Sequence, residues 1–215
     1  MRMWRSLLNL LFPPKPLVAE LEEMSATDFL ARVPRSETRV GREIFSLFDY
    51  RAPLSRRAIW ELKYRGNARV AALLGTLLYD ELVGYLAEYG ELSGLREPLL
   101  IPLPLSAKRR RERGFNQCEL LLDEIEKNDT AKNFRYDRET LIKTKDTPSQ
   151  TKAESRAKRL KNLEGCFAVN GAERVRGRTI ILIDDVATTG ATLEEARATL
   201  ISAGAKKVIA FTIAH

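Results

Sequence analysis

The chain has 215 residues, enough to bury one good core with some structure to spare. Its 44% hydrophobic and 30% charged content is that of a soluble globular protein. Its two cysteines, Cys118 and Cys166, exclude a disulfide framework and a CxxC metal site, and they fit a reducing cytoplasm. The net charge of +7 is concentrated in two segments. Residues 108–113 carry five basic side chains against Glu112, and residues 138–161 carry eight against Glu139, Asp146 and Glu154. Such clustering suits a polyphosphate substrate or a nucleic-acid backbone, and equally a solvated basic face.

Residues 1–12 hold two arginines and a Leu-rich run too short to span a membrane. Pro13-Pro14-Lys15-Pro16 follows instead of a small-residue cleavage site. The segment predicts a short amphipathic helix docked on the body, with membrane-surface contact as the alternative. Residues 17–32 predict a helix broken near Pro34, and residues 36–42 a polar loop. Ile44-Phe45-Ser46-Leu47-Phe48-Asp49-Tyr50 has strand character. Residues 54–64 and 68–89 show helical periodicity, separated by Gly66-Asn67. Leu99-Leu100-Ile101-Pro102 predicts a short apolar strand, residues 108–114 a basic loop, 115–127 a helix and 128–137 a polar turn. Thr140-Leu141-Ile142 predicts a short strand, and 143–162 a basic segment that is mobile until a ligand binds. Residues 166–169 and 207–213 predict strands. Apolar strands alternating with helices indicate an α/β fold with a parallel sheet, in which ligands bind at the carboxyl ends of the strands.

The most informative stretch is Ile180-Ile181-Leu182-Ile183-Asp184-Asp185-Val186-Ala187-Thr188-Thr189-Gly190-Ala191-Thr192. Four apolar residues without alternation predict a strand buried on both faces. Asp184 and Asp185 then stand at its end. Ionised carboxylates only accept hydrogen bonds, so a pair of ribose hydroxyls suits them. The turn that follows has small side chains and one Gly, allowing close backbone approach. Thr192 and Glu195 fit a capping box, with Leu193, Ala196 and Leu200 continuing at helical spacing. A helix N-terminus here favours a phosphate.

This segment resembles the phosphoribosyl-pyrophosphate (PRPP) loop of the type I phosphoribosyltransferases. The resemblance implies that Asp184 and Asp185 bind the ribose 2′- and 3′-hydroxyls and serve catalysis. Ala187, Thr188, Thr189, Gly190, Ala191 and Thr192 would hold the 5′-phosphate. Purine-salvage members often carry an acid at the position of Thr188, which disfavours a purine acceptor here. Leu99-Leu100-Ile101-Pro102-Leu103-Pro104-Leu105, the basic run and Gly114-Phe115-Asn116-Gln117 resemble the ComF competence branch of that family. So do Thr147-Pro148-Ser149-Gln150, Arg156, Arg159, Phe48-Asp49-Tyr50 and Leu62-Lys63-Tyr64. The ComF resemblance covers most of the chain from about Phe45 onward.

It implies a type I phosphoribosyltransferase fold: a parallel sheet flanked by helices, with a flexible hood over residues 143–162. Residues 44–215 would form that domain and residues 1–43 a small N-terminal helical extension. Pro102, Leu103, Pro104, Arg109, Arg110, Arg111 and Arg113 would bind pyrophosphate, and Gln150, Arg156 and Arg159 would belong to the hood. Many ComF-like proteins carry a four-cysteine zinc module after a Phe-Pro-Pro helix end. Here residues 17–42, which follow Phe12-Pro13-Pro14 in place of that module, hold no cysteine, so zinc is not expected. Mg²⁺ is expected with PRPP. Three functions compete: transfer of the phosphoribosyl group to a nitrogen acceptor, handling of single-stranded DNA with competence-machinery proteins, and PRPP or nucleotide sensing without turnover.

Overall fold

The computed structural model describes residues 16–36, 41, 43–93, 97–146 and 164–215. The predicted helix over 1–12 and the hood candidates Gln150, Arg156 and Arg159 lie outside the described residues. Five parallel strands form the centre: β1 (Ile44–Phe48), β2 (Leu99–Pro102), β3 (Arg135–Tyr136), β6 (Thr179–Val186) and β7 (Lys207–Ala214), in the order β1-β7-β6-β2-β3. A separate antiparallel pair, β4 (Leu141–Lys143) and β5 (Phe167–Val169), flanks the segment predicted as the hood.

Helices cover both faces of the sheet, which is why its central strands are apolar throughout. Ile181 and Ile183 of β6 and Ile209, Phe211 and Ile213 of β7 point to one side. There they pack with helices α2 (Ala26–Arg32), α3 (Pro53–Arg65), α4 (Ala68–Ser93) and α6 (Gln117–Asn128). Ile180, Leu182, Val208 and Ala210 point to the other side, against Leu193, Ala196 and Leu200 of α7 (Ala191–Ser202). The period-2 alternation of a strand thus assigns successive residues to two cores. Over Ala68–Gly90, α4 is long and apolar enough to cross a membrane. Its Val70, Leu74, Leu77, Leu78 and Leu82 are core residues against the sheet and α6. Leu21 of α1 (Pro16–Glu23) and Phe29 of α2 join the same core.

Four local expectations change. The helix over 17–32 is two helices, because Ser25 caps α2 by accepting from the Asp28 amide at 3.1 Å. The basic stretch read as a loop is helical, α5 (Ala107–Arg113). Ser106 caps its start, and Gly114 at φ 83° ends it in the left-handed region. The polar turn over 128–137 contains edge strand β3. Thr192 is not the N-cap of α7: Gly190 holds that position at φ 74°, with no side-chain cap. Glu195 accepts instead from the Gly165 amide at 2.6 Å, fastening the turn before β5 to α7.

The chain reverses direction across the sheet between β2 and β6: β2 leads to β3 on one side, β6 to β7 on the other. That switch point opens a crevice at the carboxyl ends of β2 and β6. Gly66 closes α3 at φ 54°, and a Cβ there would lie 3.1 Å from the Phe115 ring. Gly66→Ala combines left-handed backbone strain with that contact. It is expected to destabilise the fold by roughly 1–2 kcal/mol or more, measured by urea denaturation; an unchanged midpoint would remove this role of the glycine.

Candidate functional site

A cleft of about 580 Å³ occupies the switch point. Its floor is Asp184, Asp185 and Val186 at the end of β6, with Thr188 and Thr192 beyond. One wall is Leu103, Pro104 and Leu105, continuing β2. Arg109, Glu112, Arg113 and Gln117 come from α5 and α6, Lys63 and Tyr64 from the end of α3, and Lys143 from β4.

The acids are 8% and 2% exposed, so their charge requires compensation. Lys63 Nζ lies 2.7 Å from Asp185 Oδ2, and Gln117 Nε2 donates to Asp185 Oδ1 at 3.2 Å. Asp184 Oδ1 accepts from the Asp185 amide at 2.8 Å and from the Cys118 thiol at 3.3 Å. Burial alone would raise both acids. At Asp185 the Lys63 ammonium and the hydrogen bonds from Lys63, Asp184 and Gln117 prevail and hold the carboxyl below its ordinary range. At Asp184, burial and then the neighbouring Asp185 charge push the carboxyl up to about 7. Burial opposes the Lys63 charge, but Asp185 outweighs it and raises the lysine. Burial, then the two acids, keeps the Cys118 thiol protonated. Near neutrality the pair therefore divides its labour: one carboxylate fixed by an ion pair, one carboxyl able to accept or donate.

Gly114-Phe115-Asn116-Gln117 builds this arrangement residue by residue. Gly114 turns the chain out of α5, and Phe115 packs against Gly66 at the end of α3. Asn116 caps α6 through the Cys118 amide at 3.0 Å and donates to the Leu103 carbonyl at 3.1 Å. Gln117 accepts from Arg113 and donates to Asp185. The loop after β6 is held from the opposite side. The Ala187 amide donates to the Ala214 carbonyl at 3.0 Å, and His215 Nδ1 lies 2.6 Å from the Ala187 carbonyl.

Of the sequence candidates, Asp184, Asp185, Thr188, Thr192, Leu103, Pro104, Arg109 and Arg113 line the cleft. Ala187 and Ala191 are buried beneath the loop, and Gly190 supplies its left-handed turn. Pro102 is the last residue of β2. Arg110 is paired with Glu119 at 2.5 Å, and neither it nor the exposed Arg111 reaches the cleft lining. Lys63, Tyr64, Gln117 and Lys143 also line the cleft and Cys118 bonds Asp184, roles the sequence does not single out. Lys63 and Gln117 each stood within a quoted motif, but nothing local marks them as partners of Asp185. Lys143, whose ammonium lies 5.3 Å from the Phe167 ring centroid, is lowered by burial.

Among the described residues, Cys118, Asp184 and Asp185 place three donor atoms within 4.8 Å of one another. A neutral thiol and an acid already paired with lysine make this trio a hydrogen-bond network and a poor cage for a resident ion.

The phosphoribosyl transferase domain family matches residues 121–215. The DNA utilization protein YhgH of Escherichia coli O6:H1 is 31% identical over 168 residues, 78% of this chain and 69% of that one. The competence protein ComFC of Bacillus subtilis is 29% identical over 176 residues, 81% of this chain and 64% of the other. The chain belongs to the ComF family of type I phosphoribosyltransferase-like proteins. Its parallel sheet with helices on both faces is the type I phosphoribosyltransferase fold. Among solved structures, the glutamine PRPP amidotransferase of B. subtilis complexed with ADP and GMP is 16% identical, with a TM-score of 0.40. That match spans 72% of this chain and 30% of the amidotransferase.

The raised Asp184 carboxyl gives a signed prediction. The folded state binds this proton more tightly than the unfolded state. Stability therefore falls as pH rises from the ordinary aspartate range to about 7, and the loss is complete above that. Asp184→Asn removes this cost. It is expected to stabilise the protein by on the order of 2 kcal/mol at pH 8 and by little at pH 4. Asp185→Asn leaves Lys63 without its ion pair and is expected to destabilise. Thermal melts across pH test both; equal effects of Asp184→Asn at the two pH values would contradict the division of labour.

Proposed function

We propose that the cleft binds PRPP with Mg²⁺ and transfers the phosphoribosyl group to a nitrogen acceptor, releasing pyrophosphate. The observation that carries this reading is one crevice offering two adjacent acids of unequal protonation, a small-residue turn opening a helix, and two cleft-lining arginines. In this reading Asp184 and Asp185 take the ribose hydroxyls, and residues 187–192 take the 5′-phosphate at the N-terminus of α7. Arg109 and Arg113, beside Leu103 and Pro104, take pyrophosphate through forked guanidinium groups. Mg²⁺ arrives with the substrate and lowers the charge on the leaving group. Catalysis rests on orientation and on stabilising an oxocarbenium-like transition state.

A second reading, handling of single-stranded DNA in the cytoplasm with competence-machinery proteins, is favoured by the relatives. Their names state DNA utilization and competence. Its signature is oligonucleotide affinity that falls steeply with salt.

The transfer reading is tested by pyrophosphate release from Mg²⁺·PRPP across a panel of nitrogen acceptors. Acceptor-dependent release is the expected result; PRPP binding without release would leave the cleft a sensor. Gly190→Val puts a branched side chain at φ 74° in the phosphate turn. It is expected to weaken PRPP binding at least roughly tenfold. Unchanged affinity would remove the turn from the site.

A further inference from the structure

Helix α3 contributes more than Lys63. Its outward face carries Arg56, Trp60 and Tyr64 at four-residue intervals, one stripe about 12 Å long. Trp60 and Tyr64 are 39% and 59% exposed, and their ring centroids lie 5.5 Å apart. Guanidinium groups surround them. Arg57 and Arg65 lie 4.7 and 5.7 Å from the Trp60 ring centroid, and Arg113 lies 5.5 Å from that of Tyr64. The one acid of the helix, Glu61, is buried and paired with Arg57, so the outward face is cationic. The stripe ends in the cleft, which Tyr64 lines.

Exposed rings alone fit an apolar peptide, and cations alone fit any polyanion. Together they fit flat π-faces strung along an anionic backbone. A duplex keeps its base faces stacked inside and presents mainly phosphates. A stripe of this length, with two rings, also exceeds what a single acceptor base needs. We propose that the Arg56–Trp60–Tyr64 stripe of α3 is a docking track for single-stranded nucleic acid, leading to the mouth of the cleft. Trp60 is the stacking platform, the exposed Arg56 and Arg65 face the phosphates, and Tyr64 with Arg113 receives the next base at the cleft lip. This rests on the DNA-handling reading and does not depend on phosphoribosyl transfer.

The chain has two tryptophans, Trp4 and Trp60, so a Trp4→Phe background isolates Trp60 as a fluorescent reporter. The probe is an oligothymidylate of roughly fifteen nucleotides, followed by its own anisotropy and by indole quenching. The expected result is saturable quenching. In anisotropy, Trp60→Ala and Tyr64→Ala should each weaken binding roughly 5- to 100-fold. Trp60→Phe should retain most of the affinity. A duplex of the same length should not quench. Trp60→Ala should leave PRPP binding unchanged, because Trp60 does not line the cleft. Binding without quenching, and indifferent to both alanine variants, would overturn the track while leaving DNA handling intact. No binding at low salt would overturn both.

Discussion

Two carboxylates adjacent in sequence and buried at the end of a strand do not both stay ionised, and the 2.7 Å contact from Lys63 to Asp185 decides which one does. With that ion pair in place, Asp185 remains a fixed acceptor and Asp184 is pushed up by burial and by its neighbour. The cleft thereby holds an acceptor and a potential donor side by side, which suits two vicinal hydroxyls. The ion pair also determines what the rest of the structure has to do. Helix α3 must end at the right place, and that end is fixed by Gly66 against Phe115. Helix α6 must present Gln117 to the other oxygen of Asp185, and that is fixed by the Asn116 cap and its bond to the Leu103 carbonyl.

The basic charge is more selective than its concentration in the sequence suggests. Arg109 and Arg113 reach the cleft, whereas Arg110 pairs with Glu119 on the surface. Arg113 joins two surfaces. It bonds Gln117 beneath and lies over Tyr64 above, linking the acid network to the aromatic face of α3. A ligand in the cleft and a strand on α3 would therefore meet at one guanidinium.

The centre of the fold was legible because Ile180 to Ile183 leave no polar face for solvent, and because two acids followed by small residues have few uses at a strand end. The failures have local physical causes. Residues 108–114 read as a basic loop, yet 107–113 form a helix. Ser106 at one end and Gly114 at the other were the signals for it. Thr192 and Glu195 matched a capping box, but Gly190 took the N-cap and the Gly165 amide took Glu195. Strand β3 has two residues, too short for any periodicity. Lys63 was invisible as a site residue because its partner is distant in the chain. Only the packing of α3 against the sheet brings them together.

The most direct test of this account is calorimetric titration of PRPP with Mg²⁺ into the protein and into the Asp184→Asn/Asp185→Asn double variant, each shown to be folded. The account predicts saturable binding by the protein and none by the variant. Equal binding by both, or none by the folded wild-type protein, would contradict it.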